Sequence, residues 1–292
     1  MRTSVPRARL IAIREERGIL PVRAGGTRAV VGTPPVPCRT MDDYLREILI
    51  AVVVAVVAGV LGWVGRTYLW QRKLQRRQRF FGLPQNSECV VVVNRDAGTG
   101  EWAVARNDVF TLLELSSVVK ECGAHADLVA HDAAQQGFGD RTEFCVGGPV
   151  ANRRMAQHLQ SLLPGVRVNT DTAPGPDRGA FLVGSETYRL EAGTAEHVLL
   201  ARLTAGQNGD IRPVFLFCGQ RTVAHQAASR YLTKNSARLA RKYGQNGDFC
   251  LLLKVVNSQA YGPDVVELVG DVTRAATSPM PGARKGSHRA TS

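Results

Sequence analysis

Two glycine-bearing segments of the 292-residue chain have the composition of loops that hold anions. CVGGPVAN occupies positions 145–152, and FCGQRT occupies positions 217–222. Each follows an apolar run and precedes a helical pattern, so each is expected to join a strand to a helix N-terminus, where backbone N–H groups bind anions. The residues predicted to contact the ligand are Gly147, Gly148, Asn152, Gly219, Gln220 and Thr222. A purely structural role for the two turns is the alternative.

Polar side chains also lie at the ends of two other predicted strands. Asn94 and Asp96 end the first strand, and His131 and Asp132 follow the second. In an open α/β sheet the carboxyl ends of parallel strands meet at one crevice, so these four side chains are predicted to complete the ligand site. Adjacent residues of a strand point to opposite faces, so the His131–Asp132 pair alone does not indicate catalysis, and no catalytic residue is assigned.

The common motifs of catalysis are missing from the sequence. The segment 98–103 matches GxGxxA, but 102–105 has the composition of a strand, where a dinucleotide site needs a helix. There is no GxxxxGK[ST] phosphate loop, no GxSxG elbow and no HExxH pair. No metal site is predicted, and the sequence leaves the cofactor unknown. Glu191 and Glu196 lie near a predicted strand start and are expected to be ordinary exposed side chains, with a pair of carboxylates as the alternative.

The elements that must position these residues alternate between strand and helix. Short apolar runs predict strands at 88–94, 126–130, 143–146 and 166–168. Helices are predicted after Asn107 or Asp108, either of which can cap the first, and after Asn152. Short loops between alternating strands and helices predict a parallel sheet with helices on its faces.

The second half of the domain adds strands in a different arrangement. A hairpin is predicted over 181–190, a long helix over 222–243, and strands over 197–203, 214–218, 249–256 and 265–272. The last two strands are expected to be antiparallel. The predicted fold class is therefore α/β, with a Rossmann-like mixed sheet that has a parallel core and antiparallel C-terminal strands, in one domain at 84–276.

An apolar segment precedes this domain. Residues 48–65 form an 18-residue run without a charged side chain. As a helix this run spans roughly 27 Å, close to the hydrocarbon thickness of a bilayer. The apolar region of a cleaved signal peptide is shorter, so 41–65 is predicted to hold a short stub and one transmembrane helix, with the lipid bilayer as partner.

The charges that flank the apolar segment predict its direction. Six basic side chains follow it within the helical stretch 66–83, whereas the 15 residues before it carry only Arg39 and Arg46. Positive flanks stay in the cytoplasm, which predicts a plasma-membrane protein with its N-terminus outside and its C-terminal domain in the cytoplasm. The side chains predicted to lie at anionic lipid headgroups are Arg66, Arg72, Lys73, Arg76, Arg77 and Arg79.

The net charge of +12 comes from outside the domain. Residues 84–276 carry 19 basic and 20 acidic side chains, so no nucleic-acid partner is expected. The leader 1–40 and the tail 277–292 are expected to be disordered, and Met41 is a candidate for the true start. The five cysteines of the domain, an odd number without a CxxC pair, fit a reducing compartment.

Several of these features together resemble those of a known group of proteins. The Ala, Val, Arg and Gly-rich composition, the single anchor with its basic helix, and the CVGGP and FCGQ loops resemble single-pass membrane proteins of high-GC actinobacteria for which no function is known. The resemblance covers about 41–276. It implies a biological setting and no activity.

We therefore expect a membrane-anchored cytoplasmic α/β domain that binds a small anionic, nucleotide-like ligand as a sensor or effector. One alternative is an enzyme that processes a nucleotide or nucleoside at the same crevice. A carboxylate and a histidine close together in the crevice would favour this alternative. The other alternative is a non-catalytic interaction scaffold at the membrane. A closed contact between the two glycine turns, without a pocket, would favour the scaffold. The sequence leaves the oligomeric state open.

Overall fold

The computed structural model describes residues 41–94, 104–132, 139–171, 173–204 and 212–280. Several predictions fall elsewhere in the chain. The leader at 1–40, Asp96, the GxGxxA segment at 98–103 and all but the first four residues of the tail lie outside the described residues.

The first described element, α1, is a helix from Met41 to Phe81. By length and composition it is long and apolar enough to cross a membrane, and its apolar part is exposed. The chain divides inside this helix into two compact units, Met1–Gly59 and Val60–Ser292. Within the second unit Phe80 and Phe81 are 1% and 0% exposed, so the end of α1 is part of the domain core.

Within the described residues, ten strands and five further helices follow α1. The strands are β1 (Glu88–Val93), β2 (His125–Ala130), β3 (Thr142–Val146), β4 (Val166–Val168), β5 (Phe181–Val183), β6 (Glu186–Tyr188), β7 (Ala195–Thr204), β8 (Pro213–Gly219), β9 (Phe249–Val256) and β10 (Val266–Asp271). The helices are α2 (Arg106–Cys122), α3 (Arg153–Leu162), α4 (Thr222–Tyr243), α5 (Ser258–Tyr261) and α6 (Thr273–Thr277).

Seven of the strands form one mixed sheet in the order β10-β9-β7-β8-β3-β1-β2. β2, β1, β3 and β8 are parallel to one another, whereas β7, β9 and β10 are antiparallel to each of their neighbours. Every residue of β3 and β8 is buried, which accounts for the continuous apolar run of β8. The predicted mixed α/β fold, with a parallel core and antiparallel C-terminal strands, is confirmed.

The prediction that 166–168 belongs to the parallel sheet is wrong. β4 pairs antiparallel with β5, and β6 completes a separate three-stranded sheet. Val166 is buried but Arg167 is exposed, so this strand has one apolar side and does not suit a sheet that is covered on both faces. The place beside β3 is taken by β8, where Phe144 pairs with Phe215.

Helices cover both faces of the large sheet. α2 and α4 pack against each other and against one face, in a core that includes Leu115, Phe215 and Leu232. The opposite face is covered by α3 and the small sheet, in a core that includes Met155 and Phe181. Since α2 follows β1 and α4 follows β8, both helices begin near the carboxyl ends of parallel strands, the usual place for ligands in open α/β sheets.

A buried arginine joins the end of α1 to the sheet. Arg202 of β7 is 2% exposed, and its guanidinium donates to the carbonyl oxygen of Phe80 at 3.0 Å. It also donates to the carbonyl oxygens of Gln245 and Gly247, at 3.0 and 2.9 Å. Burial lowers the pKa of Arg202, but three carbonyl acceptors satisfy its charge and hold it in place.

The cysteines of the domain are buried and free. They are Cys89 in β1, Cys122 in α2, Cys145 in β3, Cys218 in β8 and Cys250 in β9. Burial raises the pKa of all five thiols, to about 12 for Cys89 and Cys218 and to about 11 for Cys122. They therefore act as small apolar side chains of the core.

Candidate functional site

The two predicted glycine turns lie in contact, and a side chain fills the space beside them. A Cβ atom at Gly148 would lie 3.3 Å from the carbonyl oxygen of Gly219. Gly147 has a φ of +131°, and a Cβ atom there would lie 2.1 Å from Oδ1 of Asn94. The structure therefore brings these four predicted residues together as a packed contact, with Asn94 in the place expected for a ligand.

Two other predicted ligand residues hold the backbone. Asn152 is 0% exposed, and its Oδ1 accepts from the Met155 N–H at 2.9 Å, which confirms it as the N-cap of α3. Gln220 accepts from the His197 N–H at 2.7 Å and donates to two further backbone carbonyl oxygens at 3.0 Å each. Both amides are thus occupied by the protein itself.

His131 and Asp132 lie at the end of β2. Nδ1 of His131 accepts from the backbone N–H of Arg153 at 3.4 Å, which places it beside the start of α3. Asp132 is exposed. Because α3 covers the face of the sheet opposite to α2 and α4, His131 lies apart from the starts of those two helices.

A cleft of about 710 Å³ lies where α2 and α4 begin. Its walls come from the first residues of these helices and from the segments at 192–193 and 258–264. Thr222, the first residue of α4, is the one predicted ligand residue in the described part of the chain that lines this cleft. Its Oγ1 accepts from Nδ2 of Asn107 at 3.2 Å, which links the starts of the two helices.

Three arginine side chains line the cleft among the described residues: Arg106 at the start of α2, and Arg221 and Arg230 at the start and in the middle of α4. Arg106 is exposed and forms no ion pair among the described residues. Arg221 lies 3.2 Å from Glu196, and Arg230 forms ion pairs with two carboxylates. One of these belongs to Asp264, the single acidic residue among the described residues of the lining. Arg221 and Arg230 are thus paired with carboxylates, and Arg106 is the arginine of the described lining whose positive charge is not offset by an ion pair.

Both helices at the cleft begin without a side-chain cap. In the described structure the N-cap residues, Ala105 and Arg221, make no capping hydrogen bond through their side chains. The prediction that Asn107 or Asp108 caps α2 is wrong, because the helix already begins at Arg106 and Asp108 turns into the core. Uncapped N-termini leave N–H groups free and carry a partial positive charge, so both favour an anion in the cleft.

A buried glutamate contacts three of the residues that line the cleft. The expectation that Glu196 is exposed is wrong, since it is 0% exposed. Its Oε1 accepts from the Gly193 N–H at 3.0 Å, the Ser258 hydroxyl at 2.9 Å and the Arg221 guanidinium at 3.2 Å. Its Oε2 is buried without a partner in the described part of the chain. The sequence holds one signal of this burial, because Glu196 shares a side of β7 with the buried Val198.

A second buried acid lies between α2 and α4. Asp108 and His225 are 1% and 2% exposed, and Oδ1 of Asp108 lies 2.7 Å from Nδ1 of His225. Nε2, the other ring nitrogen, is buried and has no partner within the described residues. A Cβ atom at Gly219 would lie 2.6 Å from the ring, so glycine is needed there to admit the imidazole. A histidine oriented by a carboxylate is the arrangement of a general base.

A third cluster of titratable groups lies on the α3 side of the sheet. Glu143, Cys145 and His158 offer ligand atoms within 4.8 Å of one another. Both oxygens of Glu143 are already bonded, to Arg154 at 3.1 and 2.8 Å and to His158 at 2.6 Å. Burial alone would raise the pKa of Glu143, but these hydrogen bonds outweigh burial and lower it to about 2. The carboxylate is committed to an ion-pair network, and we assign no metal to it.

Five of the six basic side chains that follow the apolar run are exposed on α1. They are Arg66, Arg72, Lys73, Arg76 and Arg79. Arg77 differs, because its guanidinium pairs with Glu121 of α2 and lies 6.0 Å from the centre of the Phe81 ring. Arg77 therefore helps to fix the end of α1 to the domain.

No protein-family model, curated protein or solved structure matches this chain. The geometry of the cleft is therefore the basis for a function. Its lining combines cationic side chains, uncapped helix N-termini and amide groups, which together suit a small ligand that carries negative charge.

Proposed function

We propose that the α/β domain binds a small anionic ligand in the cleft at the starts of α2 and α4, as a sensor or effector. The observation that carries the proposal is the convergence of Arg106, Arg221 and Arg230 on a cleft bounded by two uncapped helix N-termini. Guanidinium groups and helix N-termini both favour phosphate and carboxylate groups. A Rossmann-like character of the parallel strands supports the same location, because such sheets bind ligands at the carboxyl ends of their strands.

We further propose that α1 anchors this domain at the plasma membrane in a single pass. The run 48–65 has the length and composition for it. Basic residues follow that run, which supports an N-terminus outside and a domain in the cytoplasm. The five exposed basic side chains of α1 would then lie at anionic lipid headgroups.

Pyrophosphate is expected to stabilise the full-length protein in detergent against heat. A ligand at 100 times its Kd adds about 2.7 kcal/mol of stability, which raises the melting temperature measurably. Arg106→Ala and Arg221→Gln are each expected to weaken binding about tenfold, because each removes a cationic group from the cleft. Arg238→Ala removes an exposed arginine of α4 outside the cleft and is expected to bind as the wild type does.

The same titration can reject the proposal. Absence of a shift with pyrophosphate and with nucleotides, or equal weakening by Arg238→Ala, would show that the cleft is not an anion site. That result would favour the interaction scaffold, which the closed contact between Gly148 and Gly219 already suits.

Replacement of Val53, Val57 and Leu61 by lysine is expected to release the chain from membranes. Each lysine near the centre of a spanning helix opposes insertion by about 2.5–3.5 kcal/mol. The measurement is the fraction of protein that stays in the membrane pellet after a sodium carbonate wash. Arg72→Gln with Arg76→Gln is the control and is expected to stay in the pellet, whereas retention of the triple variant would contradict the anchor. A C-terminal fusion that is active only outside the cytoplasm would contradict the orientation.

One observation favours a second function, the processing of a nucleotide or nucleoside. Asp108 orients His225, whose Nε2 has no partner in the described structure, and the neighbouring residues Asn107 and Gln226 line the cleft. His225 lies behind these lining residues, so it would act as a base on a ligand that reaches between them. Turnover of nucleoside triphosphates that is lost in His225→Gln, with binding retained, would distinguish this function from binding alone.

A further inference from the structure

We infer that the ligand of the cleft is a nucleotide, with its phosphates at the arginines and its base against Phe110 and Tyr261. This inference rests on the proposed function, since it names the class of the anionic ligand. A volume of about 710 Å³ is larger than pyrophosphate fills. It falls in the range of about 300–1,000 Å³ that is typical of sites for larger organic ligands.

Among the described residues of the lining, two aromatic side chains remain exposed. Phe110 of α2 and Tyr261 of α5 are 44% and 58% exposed, and both lie outside the two core clusters of the domain. An inorganic anion makes no use of aromatic surface, whereas a planar base stacks on it. The cleft therefore suits a ligand with an aromatic part as well as a charged part.

Amide side chains lie among the same lining residues. They are Asn107, Gln226 and Gln259. Gln226 is 5% exposed, and its backbone oxygen accepts from the Ser229 hydroxyl at 2.9 Å, whereas its amide makes no hydrogen bond within the described residues. An amide offers a donor and an acceptor side by side, which is the pattern that the edges of nucleobases complement.

The Glu196 carboxylate indicates a ligand separately from the arginines and the aromatic side chains. Its Oε1 is bonded to three residues of the lining, and Oε2 of the same carboxylate is buried without a partner among the described residues. A buried acceptor without a donor is unfavourable, and a ribose hydroxyl is a neutral donor that satisfies it. The Arg221 side chain is half exposed, and its guanidinium lies 3.2 Å from Glu196. If the guanidinium turns toward a phosphate of the ligand, the Glu196 carboxylate becomes accessible to the ribose hydroxyl.

Calorimetric titration of the full-length protein in detergent tests this inference with pyrophosphate, ADP, GDP, CDP and UDP as probes. At least one nucleoside diphosphate is expected to bind about tenfold more tightly than pyrophosphate, because of base stacking. Phe110→Ala and Tyr261→Ala are each expected to remove most of that gain and to leave the affinity for pyrophosphate unchanged. Leu113→Ala removes an exposed apolar side chain from the same helix outside the cleft and is expected to change neither affinity.

The outcomes separate this inference from the proposed function. Equal affinity for pyrophosphate and all four nucleoside diphosphates would overturn the nucleotide and leave the anion site standing. Selectivity for a nucleotide that survives in both aromatic variants would overturn the placement of the base. Binding of none of the probes would overturn the proposed function itself.

Discussion

Replacement of Arg202 by methionine is expected to lower the free energy of unfolding by about 3–5 kcal/mol. The guanidinium donates to three backbone carbonyl oxygens at a site that is 2% exposed, and its removal leaves those acceptors without a donor. Methionine keeps an unbranched apolar side chain of similar length, so no large cavity is left. The loss of unfolding free energy therefore measures the polar contacts of the guanidinium. One of the carbonyls belongs to Phe80, so the end of α1 is expected to loosen first.

Denaturant unfolding of the full-length protein in detergent, followed by circular dichroism, measures this loss. Arg238→Met, on an exposed part of α4, is the matched control and is expected to change the free energy of unfolding by less than about 0.5 kcal/mol. A loss below about 1 kcal/mol for Arg202→Met would mean that the three carbonyl groups find other donors.

Glu143→Gln is expected to reduce the sensitivity of the domain to acid. Hydrogen bonds with His158 and Arg154 outweigh burial and lower the pKa of Glu143 from 4.5 to about 2. At about 1.4 kcal/mol per pH unit, this lowering corresponds to roughly 3 kcal/mol of stability. Because the pKa is lower in the folded chain than in the unfolded one, this stability is present above about pH 4.5 and is lost as the pH falls toward 2.

The measurement is the difference in unfolding free energy between about pH 7 and about pH 3, where the carboxylate contribution is partly lost. The wild type is expected to lose more stability over that interval than Glu143→Gln. At about pH 7 the variant is expected to be less stable than the wild type, because Arg154 has lost its carboxylate partner. Glu267→Gln, an exposed change on β10, is the control and is expected to follow the wild type. Parallel pH curves for the wild type and Glu143→Gln would contradict the role of this carboxylate.

The elements with the strongest local patterns form as the sequence predicts. α4 runs from Thr222 to Tyr243, as its periodicity and the following Gly244 indicate, and Asn152 caps α3. β8 is a continuous apolar run and is buried on both faces. Each of these features depends on residues that are near one another in the chain, which is why a pattern in the sequence suffices to predict it.

Features that depend on distant residues could not be predicted in this way. Asp108 pairs with His225, 117 positions away, so the sequence could not distinguish it from a helix cap. Glu196 accepts from Ser258, 62 positions away. Within the described residues, four separate segments form the walls of the cleft. The cleft lies beside the glycine turns rather than between them, and this position depends on how the sheet brings those segments together.

The buried thiols make the domain a reporter of its own local opening. A cysteine whose pKa lies near 12 is almost entirely protonated at neutral pH, so an alkylating reagent reacts with it only after the surrounding element opens. The five described cysteines lie in four strands of the large sheet and in α2. Pulsed alkylation followed by mass spectrometry can therefore measure five opening rates at once, in the unaltered chain and without an introduced probe.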